Sequence, residues 1–109
     1  MDAAWLEEFP GAVTVCDRTG VILAMNARAR AMEPGKELIG RNLLDCHPEP
    51  ARSKLAALLA SGERNVYTVE RAGRRKLLYQ SPWYEGGAYA GLVELSLELP
   101  AELPHFVRG

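Results

Sequence analysis

The last third of the chain alternates. Val93, Leu95, Leu97 and Leu99 share one parity, while Glu94, Ser96 and Glu98 share the other. That period of two predicts a strand with one buried and one wet face, as in an antiparallel sheet. Two more strands precede it. Asn65 to Arg71 alternates with aromatic and β-branched residues, Ala72-Gly73-Arg74 turns the chain, and Lys76 to Tyr84 follows. Glu85-Gly86-Gly87 then turns it into the last strand, residues 88–99. Near the start, Ala12-Val13-Thr14-Val15-Cys16 and Val21-Ile22-Leu23-Ala24-Met25 flank Asp17-Arg18-Thr19-Gly20, the pattern of a hairpin.

Helical spacing occupies the remaining stretches. Residues 2–9 predict a short amphipathic helix capped by Asp2, with Trp5, Leu6 and Phe9 on one side and Pro10-Gly11 ending it. Asn26 caps a second helix, from Ala27 to Met32, which Pro34-Gly35 stops. Residues 37–45 read as broken helical turns, and Cys46-His47-Pro48-Glu49-Pro50 as a stiff connector. The clearest helix spans residues 49–61, where Ala51, Leu55, Leu58 and Leu59 follow helical spacing and Gly62 suits the position just past the end. The result is an α+β fold, a five-stranded antiparallel sheet with short helices on one face. Residues 1–9 form the N-terminal helix, 10–99 the domain, and 100–109 a proline-punctuated tail without a period.

At 109 residues the chain is one domain, and its 48% hydrophobic content is enough for a modest core without staples. A net charge of -1 gives no electrostatic reason to expect nucleic acid or an acidic membrane. The short cluster Arg71, Arg74, Arg75 and Lys76 reads as a solvated hairpin tip. The N-terminus lacks the basic and apolar regions of a signal peptide, and no apolar run is long enough to span a membrane. The expected location is therefore the cytoplasm. Two cysteines are too few for a secreted disulfide scaffold. Cys46 and His47 are sequence neighbours whose side chains diverge, which disfavours a nucleophile–base pair, so no enzyme is expected.

Four stretches, in order, resemble the PAS domain family: Phe9-Pro10-Gly11-Ala12-Val13, then Asp17-Arg18-Thr19-Gly20-Val21-Ile22 followed by Asn26, then Leu38-Ile39-Gly40-Arg41, and last Gly91 to Leu99. The resemblance implies a sensor domain that binds a small molecule or cofactor in an internal pocket and relays its state through protein contacts. Residues 100–109 are too few for an effector, so a separate signalling protein is the expected partner. The alternative is a dimerisation and adaptor module without ligand. The family's flavin photosensors carry a reactive Cys after Gly-Arg-Asn. Here Leu43 follows Gly40-Arg41-Asn42, which argues against a flavin photoadduct.

The ligand-site residues expected on this resemblance are Leu55, Leu58 and Leu59 on the long helix, facing Leu77, Tyr79 and Trp83 on the sheet, with Cys46 and His47 at the entrance. A further alternative is a haem sensor with His47 as the iron ligand, since no His lies within the long helix. Such ligation would weaken below about pH 6.5 as the imidazole protonates. Trp5, Leu6, Phe9 and Leu92 are the expected homodimer contacts, with the N-terminal helix packed on the outer face of the sheet.

Overall fold

A computed structural model of the chain describes residues 4–109. Asp2, the expected first cap, lies outside the described residues. The elements run α1 (Ala4–Glu7), β1 (Ala12–Asp17), β2 (Ile22–Met25), α2 (Ala27–Ala31), a 3-10 turn (Leu43–Cys46), α3 (Ala51–Ser61), β3 (Asn65–Arg71), β4 (Arg74–Glu85) and β5 (Ala88–Leu99). All five strands join one antiparallel sheet in the order β2-β1-β5-β4-β3. The first strand and the last therefore lie side by side at its centre.

The turns follow from their residues. Asp17 Oδ1 accepts from Thr19 N at 2.9 Å, from Thr19 Oγ1 at 2.8 Å and from Val21 N at 3.0 Å. Those bonds close the β1–β2 turn and hold the Asp17 carboxyl below its ordinary range, the Thr19 hydroxyl contributing most. Gly20 completes the turn at φ +96°, where a Cβ would strike Asn42 Oδ1. Asn42 in turn donates to Thr19 O and caps the 3-10 turn at Leu44 N. Residues 38–42 are thus not helical turns as expected. They lie along β2, with Ile22 N donating to Arg41 O, Gly40 N to Ile22 O, and Val21 bridging Asn42.

Asn26 is 2% exposed and uses both ends of its amide. Its Oδ1 accepts from Val13 N at 2.9 Å and Ala29 N at 3.1 Å. Its Nδ2 donates to Gly11 O at 2.8 Å and Leu6 O at 3.0 Å. One side chain therefore caps α2 and ties α1 and the segment after it to the start of β1.

The helix α3 begins after Pro50, with Glu49 bonding Ser53 N and Ser53 Oγ, and ends at Gly62 in the left-handed region. Its Leu55 and Leu59 pack on Cys16 of β1 and Leu92 of β5, with Leu43 and Leu44 against them. That cluster is the core between helix and sheet.

The two faces of the sheet are opposite to the sequence expectation. Cys16 pairs with Leu92, and both face α3. Register is regular from Gly91 to Leu99, so Glu94, Ser96 and Glu98 share that helix-facing side with Leu92. Their partners on β4 are Pro82, Gln80, Leu78 and Lys76. Val93, Leu95, Leu97 and Leu99 point outward, where Leu95 and Leu97 oppose Tyr79 and Leu77 of β4, and Val93 and Leu99 oppose Ser81 and Arg75. The polar residues of β5 thus belong to the inner face and its apolar residues to the outer one. Alternation fixes which residues share a face, but which face receives the helices is decided by the crossover through α3.

Candidate functional site

Leu92 is the first residue this reversal moves. Expected at a dimer contact on the outer face, it is 2% exposed inside the core beneath α3. Leu77, Tyr79 and Trp83, expected to face the helices, share the outer parity. Trp83 lies opposite Gly91 and its Nε1 donates to Cys16 O at 3.0 Å. Gly91 has no substitute there, because a Cβ would land on the Cys16 carbonyl. Of the expected helix-side residues, Leu55 and Leu59 meet the sheet, and Leu58 is half-buried beside them.

Cys46 and His47 follow the 3-10 turn. The Cys46 thiol is exposed and leans on Asn42 O at 3.6 Å. His47 Nδ1 bonds Leu43 O at 2.8 Å, four residues back, so the ring is folded onto its own turn. A haem would need an apolar slot between α3 and the sheet next to His47. Leu55 and Leu59 instead pack directly on Cys16 and Leu92 and fill that space. The residues present do not fit the group. Cys16 itself is buried, and that burial pushes its thiol pKa up, so it packs as a small apolar side chain.

Among the described residues, concavities open on both sides of the sheet. One, of about 190 Å³, lies between α1 and the sheet, lined by Leu6, Glu7, Val13, Val15, Ala24, Met25 and Asn26. Val13 and Val15 are on the outer parity of β1, and α1 lies beside them on that side of the sheet. The other is a groove of about 530 Å³ between the β1–β2 turn and α3, lined by Arg18, Thr19, Leu44, Ala56, Leu59 and Ala60. Beside it Tyr89 donates to Leu59 O at 2.9 Å and stacks under the Arg18 guanidinium, tying the end of α3 to β5.

The arrangement that sequence reasoning missed lies on the helix-facing side, past the Leu55–Leu59 cluster. Asn65 of β3, Gln80 of β4 and Glu94 of β5 stand in one row across the sheet. Asn65 Nδ2 donates to Gln80 Oε1 at 2.8 Å, and Gln80 Nε2 donates to Glu94 Oε2 at 2.7 Å. Gln80 is 8% exposed. In the next row stand Tyr67, Leu78 and Ser96. Tyr67 remains 43% exposed, and its hydroxyl pKa is raised, first by partial burial and then by the Glu94 charge. The signal that could have found this row was parity. Gln80 and Glu94 are polar residues in strands at positions shared with buried Leu92.

Among the described residues, no helix is long and apolar enough to cross a membrane. Comparison with known proteins agrees on the architecture. No curated protein matches the chain. Among solved structures, the sensor region of a sensor histidine kinase is 23% identical with a TM-score of 0.59, over 80% of this chain and 38% of that one. This chain thus spans well under half of that region. The PAS domain of an HTR-like protein from Haloarcula marismortui is 18% identical with a TM-score of 0.61, over 88% and 92% of the two chains. A PAS-haem oxygen sensor, the Aer2 receptor from Vibrio cholerae, is 19% identical with a TM-score of 0.56, over 83% and 95%. At these identities the likeness is one of fold. The family model described as the PAS fold matches residues 6–99, the same span that supplies the hairpin, the Asn26 latch, α3 and the central β1–β5 pair. On that match the chain belongs to the PAS fold family.

Proposed function

We propose that this PAS domain is a sensing module that takes a small ligand on the helix-facing side of its sheet and passes the bound state to a homodimer contact on the outer face. The observation that carries the reading is the chemical difference between the two faces. A hydrogen-bonded amide–carboxylate row lies inside, and a half-buried apolar stripe of Leu77, Tyr79, Val93, Leu95 and Leu97 lies outside. An apolar stripe of that breadth on one side of a sheet is the surface a partner chain covers. α1 covers only its Val13–Val15 end, and Phe9 reaches toward Leu97 above Gly11. Trp5, at 63% exposed, extends the apolar surface beyond the helix. β5 carries both faces, so a change in the inner row is felt by the outer stripe one residue away.

The adaptor reading without ligand draws support from the tight packing of Leu55 and Leu59 on the sheet. It leaves the inner polar row without a role, because a core that only holds partners has no need of a buried amide and a half-buried carboxylate. Sedimentation velocity checks the dimer. The full chain is expected to sediment as a dimer, with Trp5→Glu and Leu95→Glu moving it to monomer while circular dichroism stays unchanged. A monomeric parent, or folded variants that remain dimeric, sinks the outer-face contact.

A further inference from the structure

The inner row has a direction. Each amide passes a hydrogen bond toward Glu94, Asn65 to Gln80 and Gln80 to Glu94 Oε2. The bonds that remain free are mainly acceptors: Glu94 Oε1 and Asn65 Oδ1 have no partner among the described residues. No buried side-chain oxygen or nitrogen of the described residues lacks a partner, so both free oxygens reach accessible space. No Lys, Arg or His of the described residues lies within ion-pair distance of Glu94. The next carboxylate on that face, Glu98, is paired with Arg74. Glu94 is half-buried and takes a hydrogen bond from Gln80 on Oε2, which leaves Oε1 open to a cationic partner.

The neighbours supply a body for what would pair with it. Leu78 and the ring of Tyr67 stand one row away, followed by Val69, which is 44% exposed. β3 is open to solvent along nearly its whole length, so this side of the sheet is reached from beyond α3. We propose that the helix-facing side of β3, β4 and β5 binds a small organic cation, its ammonium or guanidinium group on Glu94 and its apolar part along Leu78 and Tyr67. This rests on the reading of the domain as a ligand sensor and names the ligand's chemistry. Gln80 holds the Glu94 carboxylate in place, Asn65 Oδ1 offers a second acceptor, and the exposed Tyr67 ring offers a face to the cation.

The test uses three probes of similar body and different charge: 2-phenylethylammonium, 2-phenylethanol and 3-phenylpropanoate. Each is titrated into the full chain while side-chain amide resonances of Asn65 and Gln80 and backbone resonances of Tyr67, Leu78 and Ser96 are followed by NMR. The ammonium is expected to shift this set and to bind about tenfold or more tightly than the other two. Glu94→Gln should remove that preference, whereas Glu98→Gln, which deletes the same charge two residues along the same face, should retain it. If the alcohol or the carboxylate shifts the same resonances as strongly, the cation assignment is overturned and the sensor reading stands. If none of the three shifts them, both fall. Unchanged ammonium binding in Glu94→Gln, with a parent-like spectrum elsewhere, also overturns the assignment.

Discussion

Asn26 shows how much one polar side chain can do when the fold closes around it. Its five side-chain hydrogen bonds reach β1, α2, α1 and the segment after α1, and at 2% exposure water has little access to replace them. Asn26→Ala removes the side-chain partner of three backbone carbonyls and two amides, and is expected to cost about 2–4 kcal/mol, since an unsatisfied buried group costs roughly 1–3. Asn26→Asp keeps the acceptor but turns an oxygen on Leu6 O and Gly11 O, so it should be nearly as damaging at neutral pH. Urea unfolding measures both. An aspartate variant within about 0.5 kcal/mol of the parent would show that the Nδ2 bonds contribute little. Gly91 is a second position where one atom decides. Its Cβ-free backbone leaves room for the Cys16 carbonyl, which in turn receives the Trp83 indole.

At the scale of elements, the two best-defined ends are held by carboxylates. Asp17 closes the β1–β2 turn, and Glu49 holds the start of α3 through Ser53. Hydrogen bonds lower the pKa of both, the Thr19 hydroxyl leading for Asp17 and the Ser53 hydroxyl for Glu49. A depressed carboxylate contributes stability that is fully present above its unfolded value of about 4 and is lost as pH falls through the folded value. The thermal midpoint should therefore drop below about pH 4, modestly because both groups are solvated. Asp17→Asn together with Glu49→Gln should flatten that acid limb. A midpoint that falls equally steeply in the double variant would place the acid sensitivity elsewhere. α3 itself is a marginal helix by sequence. Its apolar stripe narrows to Leu55 and Leu59, with Ala51 exposed, so packing on Cys16 and Leu92 stabilises it more than its own periodicity does.

For the whole molecule, the position of α3 decides which part of the inner face is covered and which stays open. The helix sits on the Cys16–Leu92 row and closes the space an iron porphyrin would need, while the rows beyond it toward β3 stay accessible. Ferric haem added to the protein is expected to give no Soret band that His47→Ala abolishes. A sharp band lost in that variant would mean that α3 lifts from the sheet on binding. The same geometry keeps Leu43 packed against the core, at the position where the family's flavin photosensors carry their reactive cysteine. The outer face, in contrast, is left by this one chain with its leucines half-buried, the surface on which the proposed homodimer contact rests.

Local rules carried much of this in the sequence. Asp17 to Gly20, Asn26, Gly62 and the strict alternation after Gly91 each name a turn, a cap or a strand through contacts within a few residues, and the order of elements follows from them. Residues 38–42 were harder, because their bonds go to Ile22, some twenty residues away, and no local period records that. The faces of the sheet were not legible at all. A period of two says that Leu92, Glu94 and Ser96 travel together, and that Leu95 and Leu97 travel opposite them, but it carries no sign. Hydrophobicity suggested the leucines inside. Tertiary structure put the polar set there, because α3 lands on Cys16 and Leu92, and because the apolar set finds α1 and the opposite row of β4 on the other side. Pairing of distant strands thus decided which residues stand beneath α3 and which stand on the opposite face, and pairing is a property of the folded chain that no window of its sequence contains.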